Sequence, residues 1–164
     1  MRDEFDDFVR DLQNQIFEET RAAYGDIAFN RWLQPLYMGV IESPDGYACV
    51  TGSCGDTIKI YLRFKGGLVK EASFQTDGCG SSVVSGSFAV EMSLGRNADE
   101  LLEITGEAIL EKLGGLPKED EHCAFLAAQT LQEALHDYMT AEARKRTAGP
   151  GIQEGGGTPE RPPS

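Results

Sequence analysis

The sequence predicts an α+β fold, a small three-stranded antiparallel sheet packed against several helices, with an extra helix at the N-terminus. Three observations carry this. Between residues 46 and 76, three short apolar segments are separated by turn formers, and the middle one alternates cleanly. From residue 80 onward the apolar spacing changes to three and four, the helical period. Ahead of the strands, residues 4–24 carry the same helical period. A run of strands followed by a run of helices favours a sheet segregated from its helices.

The first element is an acidic amphipathic helix over 4–24, with Phe5, Phe8, Val9, Leu12, Ile16 and Phe17 at spacings of three and four. Residues 28–41 hold Phe29, Trp32, Leu33, Leu36 and Tyr37. Pro35 breaks any long helix there, so this stretch reads as a linker laying apolar side chains on the core. "GYACVTG" is a short strand bounded by "SPDG" and "GSCGD". "TIKIYLRF" puts Ile58, Ile60, Leu62 and Phe64 on one face and Thr57, Lys59, Tyr61 and Arg63 on the other. "KGG" is a tight hairpin turn, glycine supplying positive φ. "LVKEASFQT" returns with Leu68, Ala72 and Phe74 inward.

After "DGCG" comes a helix with Val84, Phe88 and Met92 as its stripe, ended by Gly95. "NADE" offers Asn97 as an N-cap with Glu100 three later. "TGEAILEKLGG" is a short helix closed by Gly114. A final helix starts near His122 and turns Ala127, Leu131, Leu135 and Tyr138 inward. The predicted organisation is an N-terminal helical extension over 1–40, a main domain over 41–146, and a disordered Gly/Pro-rich tail over 147–164.

Fifteen Lys and Arg stand against 27 Asp and Glu, a formal net charge of −12. That balance speaks against nucleic acid, whose phosphates need clustered cations, and against an anionic membrane surface. It suits a basic partner. No apolar run is long enough to span a bilayer. The start, "MRDEFDDFVRDLQ", is charged where a signal peptide is apolar. A cytoplasmic location is the expectation, and there cysteines act more often as ligands, nucleophiles or packing than as disulfides.

Three of the four cysteines sit at element boundaries: Cys54 in "GSCGD", Cys79 in "DGCGSS", Cys123 in "EHCAF". A helix N-terminus offers free N–H groups and partial positive charge, which favours thiolate. Glycine on both sides of Cys79 strips bulk from the backbone around the sulfur. Cys49, mid-strand in "YACVT", reads as a small buried hydrophobe. No C-x-x-C knuckle exists. From chemistry alone, one shared metal site and three unrelated thiols both remain open. Asp56 suits a metal ligand or a backbone-bonding turn residue. His122 suits a ligand, a proton acceptor or a surface residue at a helix start. His136 has no neighbour that speaks for a role.

Taken together, "GSCGD", "DGCGSS" and "HCAFLA" resemble the three cysteine motifs of the NifU/IscU-type iron–sulfur cluster scaffolds, over roughly residues 45–140. The resemblance implies that Cys54, Cys79 and Cys123 converge at one exposed end, with Asp56 and His122 close by. There they would hold a transient [2Fe–2S] cluster. It implies a cysteine desulfurase as sulfur source, an iron donor, and apo iron–sulfur proteins or carriers as recipients, and it leaves dimerisation open. It implies a scaffold rather than an enzyme with turnover of its own. Four cysteines grip a cluster, whereas three with one carboxylate or imidazole leave a displaceable position. Asp56 is the ligand that favours release, and His122 is the alternative fourth ligand. Cys123, beside an imidazole, is the expected acceptor of persulfide sulfur.

The short interval before Cys123, and His122 itself, place the chain nearer the IscU branch than the zinc-dependent SufU branch. Two departures stand out. "LPKEDEHC" replaces the family's chaperone-binding "LPPVK" run, with Asp120 where a basic residue is expected. Residues 1–40 match the family poorly. The rival readings are a zinc-holding sulfur acceptor using the same residues, a cysteine hydrolase with Cys123 as nucleophile, and a metal-free binding module.

Overall fold

A computed structural model describes residues 2–155 of the chain. Its sheet has three antiparallel strands in the order β1 (Gly46–Thr51), β2 (Thr57–Lys65) and β3 (Leu68–Thr76). The predicted alternation holds in β2, where Ile58, Ile60 and Leu62 are fully buried. Lys65 pairs with Leu68 across Gly66 and Gly67, whose φ values of 63° and 81° are those a two-residue primed turn needs.

Two expectations for the sheet are corrected. Leu68 faces solvent and Val69 is buried instead. The register shifts between Arg63 and Phe64, so that Arg63 opposes Glu71 while Phe64 opposes Val69. The extra residue, Lys70, reverses which side chains point inward. Cys49 is exposed, not buried. On the edge strand β1, Gly46 and Ala48 turn toward the core while Tyr47, Cys49 and Thr51 turn outward.

Among the described residues, five helices complete the fold: α1 (Arg2–Leu33), α2 (Gly80–Ser93), α3 (Ala98–Leu101), α4 (Gly106–Leu113) and α5 (His122–Gly155). A 3-10 turn over Lys118–Asp120 precedes α5. Helix α5 lies across β1 and β2, and α2 packs on β3 and α5. The core forms where these faces meet, with Ile60, Phe74, Val84, Leu131 and Leu135 at its centre. Asn97 caps α3 in a reciprocal box with Glu100, and Gly114 ends α4 in the left-handed conformation.

Helix α1 is two helices. Gly25, at φ 85° and ψ 164°, breaks it into residues 2–24 and 26–33. The linker expected from residue 28 is therefore helical as far as Leu33. Pro35 ends this helix and does not prevent it, because proline restricts the residue before it and leaves earlier turns intact. Arg31 fastens the second piece to α2. Its guanidinium donates to Ser87 Oγ (2.9 Å) and Glu91 Oε1 (2.6 Å) and lies 3.9 Å from the Phe88 ring centroid.

The tail expected from Thr147 divides. Helix α5 continues to Gly155, and residues 156–164 lie outside the described residues. Among the described residues, no helix is long and apolar enough to cross a membrane.

Candidate metal centre

The β1–β2 turn supplies the first two candidate residues. Gly55, at φ 95°, lets the chain reverse, and Gly52 N–H donates to the Asp56 carbonyl (2.9 Å). The turn exposes Cys54 and sends the Asp56 carboxylate toward the start of α2. Cys79 is the N-cap residue of α2 and is exposed. Cys123 is in the first turn of α5 and is fully buried.

The ligand atoms of Asp56, Cys79 and Cys123 all lie within 4.8 Å of one another. Cys54 occupies the turn two residues before Asp56 and is not one of the three. His122 is exposed, with Nε2 3.7 Å from Cys123 Sγ. His136 is exposed on α5 and is not one of the three.

The Asp56 carboxylate bonds outside its own turn, at the start of α2. Its Oδ2 accepts from Ser82 Oγ (2.7 Å) and more weakly from Cys79 N–H (3.4 Å), with Cys79 Sγ at 3.6 Å. It thus sits against the positive end of α2. The Ser82 hydrogen bond, opposed by partial burial and helped by the Cys79 bonds and by nearby His122, holds its carboxyl below the usual value. The turn is bonded instead by Asp77, whose Oδ1 accepts from Thr57 N–H (2.9 Å).

The glycines around Cys79 are explained by what approaches them. A Cβ on Gly78 would stand 2.6 Å from the Asp56 carboxyl carbon, and one on Gly80 would stand 3.0 Å from the Trp32 ring. The bare backbone admits a carboxylate on one side and an indole on the other.

The expectation that a helix start favours thiolate is corrected for Cys123. Burial pushes this thiol up to about 12, against a lowering by the Ser82 hydroxyl, with Cys79 and Asp120 adding to the rise. Loss of hydration outweighs the helix end because this sulfur is fully enclosed.

Four further residues shape the site. Ser82 Oγ touches both Asp56 and Cys123 Sγ, the latter at 3.5 Å. Asp120 Oδ2 accepts from Tyr24 of α1 (2.9 Å) and Ser81 of α2 (3.0 Å). This joins α1, α2 and the segment before Cys123. The two serines of "DGCGSS" were visible signals. Tyr24 carried none, being one of several aromatic residues in the N-terminal region.

A family profile described as NifU-like N terminal domain matches residues 23–145. The match starts within the stretch that the sequence reading assigned to the extension. The chain is 40% identical over 117 residues to iron-sulfur cluster assembly scaffold protein IscU 1 of Archaeoglobus fulgidus, covering 71% of this chain and 76% of that one. It is 31% identical over 128 residues to iron-sulfur cluster assembly scaffold protein IscU of Aquifex aeolicus, covering 76% and 82%. Its fold is similar to the crystal structure of a NifU-like protein (N-terminal) from Brucella abortus, with TM-score 0.60 and 19% identity over 73% of this chain and 96% of that one. The extent of the profile match and the identity to these relatives agree with the three cysteine motifs: this chain belongs to the NifU-like N-terminal domain family.

Proposed function

We propose that the protein is a scaffold on which an iron–sulfur cluster of the [2Fe–2S] type is assembled from desulfurase-derived sulfur and donated iron, then passed to apo-proteins or carriers. The observation that carries this reading is the grouping of Asp56, Cys79 and Cys123 within 4.8 Å, with Cys54 on the adjoining turn. Two soft thiols and a hard carboxylate are a mixed donor set. Thiolates hold iron and sulfide firmly, while the carboxylate is the displaceable member. His122, beside Cys123, is the alternative fourth ligand. Relatives named as IscU scaffolds support the same role.

Sulfur enters by group transfer. A thiolate of the scaffold attacks the terminal sulfur of the desulfurase persulfide. A new S–S bond forms on the scaffold, the donor's S–S bond breaks, and the donor keeps its thiolate. We assign Cys123 as acceptor. It is buried at rest, so the segment before it moves aside when the donor binds. Each transferred sulfur takes up two electrons to leave as sulfide, one from a ferrous ion that becomes ferric and one from a one-electron donor of the reduced-ferredoxin class.

A second reading is a zinc-holding sulfur acceptor that stimulates the desulfurase. The donor set favours it, since two thiolates, a carboxylate and one further cysteine or histidine make an ordinary zinc site. Anaerobic purification followed by metal and acid-labile sulfide analysis separates the two. Near-equal iron and sulfide after reconstitution with desulfurase, cysteine and ferrous iron, and a visible spectrum lost on adding an apo-ferredoxin, is the scaffold result. Retained zinc, no cluster and faster desulfurase turnover is the other.

A further inference from the structure

We propose that the outer face of the first helical piece, residues 5–16, docks a basic partner protein, and that this partner is the sulfur donor; the donor assignment rests on the scaffold reading above. Phe5 and Phe8 are 66% and 63% exposed, and Val9, Leu12 and Ile16 are exposed beside them. At helical pitch these five side chains share one face about 100° wide. Monomeric proteins rarely leave so continuous an apolar patch uncovered without a binding role. The stripe lies ahead of the family match, which begins at residue 23.

The inner side of the same helix is already occupied. Phe17 packs edge-on against Phe29 and Trp32, and the Arg21 guanidinium lies 4.7 Å from the Phe29 ring centroid. The break at Gly25 makes residues 2–24 a separate rod, anchored at its far end and free along the stripe. Seven carboxylates stand against three arginines on this rod. That excess repels a second copy and an anionic bilayer. It favours an apolar surface rimmed by Lys and Arg.

The stripe also leads to the thiols. Ile16 ends it and lines a groove of about 300 Å³ with Thr20, Tyr24, Trp32, Gly80 and Val84. Gly80 follows Cys79. Tyr24, on the same rod, bonds Asp120 three residues before Cys123. A partner that grips the rod therefore also pulls on a contact to the segment that leads into Cys123. The sulfur donor is the partner that needs a bare thiol, whereas a recipient needs a finished cluster.

The test uses the full-length chain and the cysteine desulfurase of the same organism, titrated at low and raised salt. The double variant Phe5→Ser, Phe8→Ser is expected to weaken binding about tenfold or more, as loss of two central aromatic contacts does. The variant Glu4→Gln, Asp6→Asn, Asp11→Asn is expected to flatten the salt dependence. Both form cluster like the parent from ferric iron and sulfide without desulfurase. Unchanged donor affinity in the Phe5/Phe8 variant, or no binding by the parent, overturns the proposal. So does a parent dimer that the variant converts to monomer, because a second copy then covers the stripe. Failure of the parent to form cluster from iron and sulfide counts against the scaffold reading and not against the docking surface.

Discussion

Ser82 Oγ sits 2.7 Å from Asp56 Oδ2 and 3.5 Å from Cys123 Sγ, so one hydroxyl on α2 touches residues from the β1–β2 turn and from α5. Because it favours the ionised carboxylate, it sets an acid limit. A carboxyl lowered in the folded state contributes stability that is fully present above its unfolded pKa, about 4. That contribution is lost as pH falls through the lowered folded value. Ser82→Ala removes the largest lowering cause, so the variant is expected to be less stable near neutrality and to lose less of its stability between pH 7 and pH 3 than the parent, giving a shallower acid limb. Urea midpoints between pH 3 and pH 7 check this, and identical acid limbs for parent and variant would contradict it.

Asp56 is the harder donor among thiols. In Asp56→Ala the reconstituted cluster is expected to persist about tenfold longer, equivalent to ~1.4 kcal/mol in the barrier to loss. Decay of visible absorption in air measures it. A variant cluster that decays as fast as the parent's removes Asp56 from the role of labile ligand.

Gly78 has no room for a side chain. Its missing Cβ would overlap the Asp56 carboxyl and stand 2.8 Å from Ser82 Oγ. Gly78→Ala is expected to cost about 1–3 kcal/mol and to lower iron uptake by displacing Asp56. Denaturant unfolding and iron titration read the two effects separately. Full stability with full iron binding would show that the turn gives way freely.

Tyr24 and Ser81 both bond Asp120, three residues before Cys123. Tyr24→Phe removes one hydrogen bond, worth about 0.5–1.5 kcal/mol, and is expected to speed alkylation of Cys123 by iodoacetamide severalfold, with Cys79 unaffected. Peptide mapping after timed quenching distinguishes them. Labelled persulfide from the desulfurase is expected at Cys123 and to vanish in Cys123→Ser. Label found mainly at Cys79 reassigns the acceptor.

Local pattern told most about the fold. The alternation of β2, the Gly66–Gly67 turn, the Asn97 cap and the inward face of α5 each follow from a few neighbouring residues. What failed depended on distant ones. Val69 replaces Leu68 because of a register shift set by β2. Cys49 points outward because α5 covers the other side of its strand. For the site, the motifs named the right turn and helix starts. The thiol state of Cys123 depends on enclosure by residues of α2 and of the segment leading into α5. The purpose of Gly78 and Gly80 depends on Asp56 and Trp32, which only the fold brings near.

Trp32, the sole tryptophan, lies over Gly80 beside Cys79. The protein therefore carries its own optical reporter. Emission from this indole is expected to dim as a coloured, electron-accepting cargo arrives and to recover as it departs. Loading and hand-over thus become readable in real time by stopped flow, with no dye and no engineered label.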